Sequence, residues 1–143
     1  MANGVEPMAR ILVIDDEELA RFTIREILEG SAHVVTEASD GIEGMRCLQA
    51  DAFDIAITDM VMPQQEGSKT IEAIKDFAPS VKVIAISGGG RVNNVDHLDR
   101  AMAAGADAIL KKPFTYEEFL DTVENLLVPE VGTVSLLPVM ASD

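Results

Sequence analysis

Residues 54–63 read Asp-Ile-Ala-Ile-Thr-Asp-Met-Val-Met-Pro, and this stretch indicates the fold of the whole chain. Its apolar run from Ile55 to Ile57 is typical of a short strand buried on both faces of a parallel sheet. Asp59 follows at the point where the strand leaves the core. In open α/β sheets ligands bind outside the carboxyl ends of the strands, so this carboxylate is placed for chemistry. Taken alone, the stretch also fits an acidic residue that starts a turn before Pro63.

Composition sets bounds on size, location and partners. The 143 residues suffice for one domain with a substantial core. The single cysteine, Cys47, cannot form an internal disulfide, and no run reaches the roughly 18 apolar residues of a membrane span. Residues 1–10 lack the apolar region of a signal peptide, which favours a cytoplasmic protein. The formal charge of -14 argues against direct binding to nucleic acid or to a membrane.

Strand-like and helix-like segments alternate along the chain. Apolar runs predict five strands at 10–14, 34–36, 55–59, 81–86 and 108–110. Gly30, Pro79 and Gly105 are predicted to end the first, third and fourth helices, and Thr115 with Glu118 forms a capping box that opens the fifth. The apolar faces of the five helices are marked in turn by Leu19, Ala20, Thr23, Ile24, Ile27 and Leu28; by Ile42, Met45 and Leu48; by Ile71, Ile74 and Phe77; by Val95, Leu98, Ala101 and Met102; and by Phe119, Val123 and Leu126.

Five such strand-helix units with short links predict an α/β fold: a doubly wound five-stranded parallel sheet with helices on both faces. The predicted domain runs from residue 9 to residue 128, after an N-terminal extension at 1–8. An apolar C-terminal tail occupies 129–143 and has no helical period and almost no charge. We expect such an apolar tail either to dock on the domain or a neighbouring subunit, or to be disordered.

Every polar feature of note falls at one edge of this predicted sheet. Asp15 and Asp16 follow the first strand, Asp59 ends the third, Ser87 ends the fourth and Lys112 follows the fifth. Each has a simpler structural interpretation: the acids as helix N-caps, the serine as a turn residue, the lysine as a solvated charge. Their coincidence at the carboxyl ends of one parallel sheet favours a functional site.

These residues make the chain similar to the receiver domain of response regulators in two-component signalling. The matching signs are the acid pair Asp15-Asp16, Asp59 within Asp-Met-Val-Met-Pro-Gln-Gln-Glu-Gly, Ser87 after the fourth strand, and Lys112-Pro113-Phe114 after the fifth. The resemblance covers nearly everything but the two ends of the chain. It implies a flavodoxin-like sheet of strand order 2-1-3-4-5 with five helices.

The resemblance implies phosphoacceptor chemistry with Mg2+. Asp59 would be the nucleophile that takes a phosphoryl group from the phosphohistidine of a histidine kinase or histidine phosphotransfer protein. Asp16 and Asp59 would bind Mg2+ directly, Asp15 through water and Val61 through its backbone carbonyl. The physical argument agrees, because crowded carboxylates repel one another and Mg2+ is a hard cation commonly bound by one or two carboxylates with water and phosphate oxygens.

Lys112 and Ser87 complete the site that the resemblance implies. Lys112 would neutralise charge on the transferring group, and Ser87 would donate its hydroxyl to a phosphoryl oxygen and move toward it. Lys111 is assigned to solvent, and the Lys112–Pro113 bond is expected to be cis. Such a protein is not an enzyme in the usual sense, since it catalyses only its own phosphorylation and dephosphorylation and signals through partner binding.

Three features depart from the usual receiver pattern. Ile109 occupies the position, three before the motif lysine, where receivers carry Tyr or Phe, so the usual aromatic switch is absent or rebuilt. Gly88 replaces a more usual alanine, and glycines at 88–90 predict a mobile loop with free backbone donors. No output domain follows Val128, which suggests a stand-alone receiver that binds an unknown output protein or relays phosphoryl groups.

Other classes of protein fit these residues less well. A haloacid-dehalogenase-type phosphatase needs a second Asp two positions after the nucleophile, where this chain has Val61. A flavodoxin-like FMN carrier must cradle a phosphate after its first strand, where the acids at 15–18 would repel one. A phosphorylation-independent scaffold stays open as an alternative, favoured by Ile109 and the glycine loop and opposed by the complete set of acids, hydroxyl and lysine.

Overall fold

Strands and helices alternate in the structure as the apolar pattern predicts. The computed structural model describes residues 9–61, 67–88 and 94–127, with the backbone alone from 94 to 98. The predicted N-terminal extension at 1–8 and the predicted tail at 129–143 lie outside the described residues. In chain order the elements are β1 (Arg10–Ile14), α1 (Glu18–Gly30), β2 (Val34–Ala38), α2 (Gly41–Ala50), β3 (Ile55–Asp59), α3 (Gly67–Phe77), β4 (Lys82–Ser87), α4 (Asn94–Ala104), β5 (Ala108–Lys111) and α5 (Tyr116–Leu127).

All five strands run parallel in one sheet of order β2-β1-β3-β4-β5. This confirms the predicted doubly wound fold and the strand order that the resemblance implies. β3 lies at the centre, and every one of its residues is buried. Ile14 pairs with Thr58, and Asp59 pairs with Ile86, so the carboxyl ends of β1, β3 and β4 lie side by side.

Alternate strand residues pack on opposite faces of the sheet, as the pleat of a strand requires. Leu12, Ala56 and Val83 belong to the cluster that α2, α3 and α4 cover. The neighbouring strand residues belong to a second cluster, which α1 and α5 cover, and its largest fully buried side chain is Phe119. Among the described helices, none has the length and apolar character needed to cross a membrane.

Several predicted boundaries are wrong by one or two residues. β2 extends to Ala38 rather than residue 36, β4 spans 82–87 rather than 81–86, and β5 reaches Lys111. α1 does end at Gly30 as predicted, although the left-handed conformation lies at Ala32, with φ 69°, and not at the glycine. Gly105 does lie in the left-handed region after α4, with φ 111°, and the capping box at the start of α5 is confirmed by a 2.9 Å bond from Glu118 N to Thr115 Oγ1.

Five residues assigned to apolar helix faces are exposed instead: Thr23 and four large hydrophobic residues. Leu19 is 74%, Ile42 62%, Phe77 51% and Met102 57% accessible to solvent. The four hydrophobic residues lie in the first or last turns of their helices, whereas Thr23 lies within α1 and donates through Oγ1 to the Leu19 carbonyl at 3.0 Å. Helical spacing identifies which side of a helix is apolar, but the ends of a helix extend past the sheet that it covers, so the prediction fails there.

His33, between α1 and β2, joins the starts of the first two strands. Its Nδ1 accepts the backbone N–H of Ala9 at 3.3 Å, and Val34 N donates to the Ala9 carbonyl at 2.9 Å. The Nε2 atom is buried with no hydrogen-bond partner in the described part of the chain. Burial lowers the pKa of His33, against the opposing effect of the Glu124 charge.

Replacing His33 with Asn is expected to make stability less sensitive to acid. Because the folded pKa lies below the ordinary value of 6.5, the unfolded chain takes up its proton first, and the stability that neutral His33 contributes above this pH is lost as the pH falls. The amide oxygen of asparagine can still accept the Ala9 N–H but does not titrate. Urea unfolding of both proteins between about pH 8 and about pH 5.5 measures the difference, and parallel profiles would contradict the argument.

Candidate functional site

The residues singled out in the sequence meet at the carboxyl edge of the sheet. Asp15 comes directly after β1, Asp59 is the last residue of β3, and Ser87 is the last residue of β4. Lys112 comes directly after β5, and its backbone N–H donates to the Ser87 carbonyl at 2.9 Å. Parallel pairing therefore gathers residues from four strands at one place.

Three carboxylates form the centre of this site. One oxygen each of Asp15, Asp16 and Asp59 lies within 4.8 Å of the others. Asp15 and Asp59 are only 2% and 8% exposed, whereas Asp16 is exposed. Backbone donors hold the two buried acids: Glu17 N donates to Asp15 Oδ1 at 2.9 Å, and Val61 N donates to Asp59 Oδ1 at 3.2 Å.

Burial raises the pKa of both Asp15 and Asp59. For Asp15 the Glu17 N–H and the Lys112 charge act in the opposite direction, while the charges of Asp59 and Asp16 raise the pKa further. For Asp59 the Val61 N–H and the Lys112 charge oppose burial, and the Asp16 charge adds to it. The protein therefore offsets only part of the cost of burying the two ionised carboxylates.

This donor set fits a hard divalent cation. Three carboxylates supply oxygen ligands at close range, and a bound cation would relieve both their repulsion and their burial cost. An interpretation of the acid pair as helix N-caps is not supported, since Glu17 is the N-cap residue of α1 and its side chain makes no capping bond.

The β4–β5 side of the site carries a hydroxyl and an ammonium group. Ser87 is 1% exposed, and its Oγ has no hydrogen-bond partner among the described residues. A buried hydroxyl left unpaired is uncommon and calls for an explanation such as a ligand. Lys112 is half-buried, its bond to Pro113 is cis as expected, and Lys111 is exposed as expected.

Two residues of the site were given no role of their own in the sequence analysis, although Gly67 is the last residue of the quoted Asp59 motif. Gly67, the first residue of α3, approaches the end of β3 so closely that a Cβ there would lie 2.5 Å from the Asp59 carbonyl oxygen and 2.6 Å from Met60 Cα. Arg21 in α1 donates through Nη1 to the Asp15 carbonyl oxygen at 2.7 Å. The sequence features that point to these two residues are only the position of Gly67, eight residues after Asp59, and that of Arg21, soon after the acids at 15–18.

The positions that depart from the receiver pattern are partly described. Ile109 is partly buried and packs against the cluster under α2, α3 and α4. Phe114, after the cis bond, stacks on Phe119 with ring centroids 5.7 Å apart. Gly88 is described, whereas residues 89 and 90 of the predicted glycine loop and the segment 62–66 after Val61 lie outside the described residues.

Comparison with known proteins gives a consistent family. A model of the response regulator receiver domain matches residues 11–124. The chemotaxis protein CheY of Halobacterium salinarum is 30% identical over 118 residues, which cover 82% of this chain and 96% of that protein. The response regulator MprA of Mycobacterium tuberculosis is 31% identical over 119 residues, covering 82% of this chain and 50% of that protein.

Solved structures agree with the sequence comparison. A response regulator receiver domain protein from Clostridium thermocellum has a TM-score of 0.76 at 34% identity, covering 84% of this chain and 94% of that one. Chemotaxis protein CheY4 of Vibrio cholerae has a TM-score of 0.76 at 25% identity, covering 84% of this chain and 99% of that one. This chain thus spans nearly all of the chemotaxis proteins and about half of MprA.

Replacing Asp59 with Asn is expected to stabilise the fold in the absence of divalent cations. The raised pKa means that ionising Asp59 costs free energy in the folded state, so removing the charge should increase the free energy of unfolding at neutral pH. As the pH falls from the folded pKa toward the ordinary value of 3.8, the folded parent protonates first and the advantage of the variant disappears.

Urea unfolding in chelator measures this gain. Asp121→Asn is the matched control, because it removes the same charge from an exposed position on α5. Equal stabilisation by both substitutions would mean that the overall negative charge, not the acid cluster, is responsible.

Proposed function

Since this chain belongs to the response-regulator receiver domain family, we propose that it is a phosphoacceptor that uses Asp59. The donor would be a phosphohistidine on a histidine kinase or histidine phosphotransfer protein. The observation that carries the proposal is the Asp59 carboxylate itself: nearly buried, within 4.8 Å of two other acids, and acted on by the Lys112 charge.

The transfer step follows from the chemistry of a carboxylate nucleophile. An oxygen of Asp59 attacks the phosphorus, the phosphorus–nitrogen bond to the donor histidine breaks, and its electron pair stays on the ring nitrogen. The product is an aspartyl phosphate. Attack of water on the same phosphorus later restores the carboxylate and releases inorganic phosphate, so the protein catalyses only its own phosphorylation and dephosphorylation.

The residues that would hold Mg2+ are Asp15, Asp16, Asp59 and the backbone carbonyl of Val61. When bound, the ion neutralises negative charge on the acids and on the transferring group. The protein's own contribution is to hold Asp15 and Asp59 in place through the Glu17 and Val61 N–H groups.

Lys112 and Ser87 would act on the phosphoryl group from the β4–β5 side of the site. The Lys112 ammonium, whose charge already lowers the pKa of Asp15 and Asp59 against their burial, would balance charge that develops during transfer. The Ser87 hydroxyl is buried without a partner and would donate to a phosphoryl oxygen of the product. Ser87 is thereby a candidate for the group that senses phosphorylation.

Signalling would then depend on partners that prefer one form of the protein. A cytoplasmic location and an output protein as partner agree with this role, and the formal charge of -14 favours a protein partner over nucleic acid or a membrane surface. We assign the receiver domain to residues 9–128. The alternative is a phosphorylation-independent scaffold, which Ile109 favours because it lacks the aromatic ring of the usual switch.

Labelling with a small phosphodonor separates these two functions. We expect intact mass to increase by one phosphoryl group when the protein is incubated with acetyl phosphate and Mg2+, and to stay unchanged in chelator. Asp59→Asn should remain unlabelled because it lacks the nucleophile. A parent protein that never takes up label would support the scaffold, and a labelled Asp59→Asn would place the acceptor elsewhere.

The two neighbouring lysines offer a matched pair of substitutions. Lys112→Ala is expected to slow labelling by acetyl phosphate about 100-fold, the usual effect of losing one group that stabilises transition-state charge. Lys111→Ala should leave the rate unchanged, because that side chain is exposed. The initial rate of mass change measures both variants, and similar slowing in the two would show a general effect of surface charge instead of a specific contact.

A further inference from the structure

Arg21 connects the acid site to the neighbouring strand β2. Its Nη1 donates to the Asp15 carbonyl oxygen at 2.7 Å, and its Nε donates to Glu37 Oε1 at 2.9 Å. The other carboxylate oxygen of Glu37 accepts from Arg25 Nη1 at 2.7 Å. The Arg21 and Glu37 side chains are only 16% and 24% exposed, so the contact is shielded from water more than a surface ion pair.

Three groups of Asp15 make hydrogen bonds: its backbone N–H, its carboxylate and its backbone carbonyl. Its N–H donates to the Ala38 carbonyl at 3.1 Å, its Oδ1 accepts from Glu17 N at 2.9 Å, and its carbonyl oxygen accepts from Arg21. The first two bonds are with backbone groups, the carbonyl of Ala38 at the end of β2 and the N–H of Glu17. Among the described residues, the bond from Arg21 is the one that joins Asp15 to a charged side chain, and Glu37 on β2 fixes the direction of that side chain.

We propose that Arg21, oriented by Glu37, is a positioning residue for the cation site. By holding the backbone at Asp15, it keeps the Asp15 carboxylate within reach of those of Asp16 and Asp59. The inference rests on the proposed function, since it concerns Mg2+ binding at those three acids. Groups that do not touch a metal ion but orient its ligands commonly contribute to metal affinity, and their removal changes it.

Whether removing Arg21 weakens or strengthens Mg2+ binding distinguishes a role in positioning Asp15 from a purely electrostatic role. Arg21 is a cation beside an acidic site, so by charge alone its removal should strengthen Mg2+ binding. If Arg21 acts through the position of Asp15, its removal should weaken binding despite the lost positive charge. A loss of overall stability would not by itself move the affinity of the folded protein in either direction.

The test is a Mg2+ titration of the full chain by isothermal titration calorimetry. Arg21→Met keeps the apolar stem and removes both bonds, and we expect it to weaken Mg2+ binding about tenfold. Arg25→Met is the matched control: it removes the same charge and another partner of Glu37, but Arg25 bonds to Glu29 and Glu37 rather than to Asp15. Its Mg2+ affinity should be unchanged or slightly higher.

Glu37→Gln provides an independent second variant. It should weaken Mg2+ binding less than Arg21→Met, and it should add nothing when combined with that substitution, because Glu37 acts through Arg21. Urea unfolding in chelator reveals whether Arg21→Met folds. If it does not, the Mg2+ affinity of Glu37→Gln is compared with that of the Arg25→Met control instead.

The possible results are distinct. Mg2+ affinity that is unchanged or higher in Arg21→Met, with binding still lost in Asp59→Asn, would overturn the role of Arg21 and leave the proposed function intact. A parent protein that binds no Mg2+ would overturn the cation site and the inference together. Weaker binding in Arg21→Met and Arg25→Met alike would show a general effect of the ion-pair network and would also overturn the inference.

Discussion

The crowding of like charges at one edge of the sheet is the constraint on which the rest of this molecule depends. Parallel pairing places the ends of β1 and β3 side by side, and oxygens of the acids at these ends come within 4.8 Å of one another. These acids are Asp15, Asp16 and Asp59. Two of them are nearly buried, where unbalanced charge is expensive. The backbone N–H groups of Glu17 and Val61 and the charge of Lys112 oppose this cost without cancelling it, so the fold holds a site that favours a cation.

Much of this arrangement could be predicted from the sequence, because it depends on local patterns. A buried parallel strand is an uninterrupted apolar run, so the end of the run locates Asp59 in β3, and the same reasoning locates Ser87 at the end of β4. Contacts between distant segments leave no such pattern. No local pattern near Arg21 indicates that it will bond to Glu37. The repeat of apolar residues likewise does not distinguish the exposed Leu19 and Met102 from the buried residues of the same helices.

The environment of Ile109 shows why the departure from the usual aromatic matters. Its side chain packs against the cluster beneath α2, α3 and α4, in the strand that leads to Lys112. A β-branched side chain is restricted in its rotamers and carries no ring that could exchange a buried for an exposed position. The aromatic contact in this region is instead that of Phe114 with Phe119, which joins the end of β5 to the core of α5.

The two sides of the acid cluster differ in how fully their polar groups are bonded. On the β1–β2 side the N–H, carbonyl and one carboxylate oxygen of Asp15 are all engaged by protein partners. On the β4–β5 side the Ser87 hydroxyl is buried and unpaired among the described residues. A group that gains a first hydrogen bond stabilises the new state more than a group that only exchanges one bond for another. On the proposed function, a phosphoryl group on Asp59 would give the Ser87 hydroxyl its first partner, so its energetic effect would fall mainly on β4 and β5 and less on the already bonded β1–β2 side.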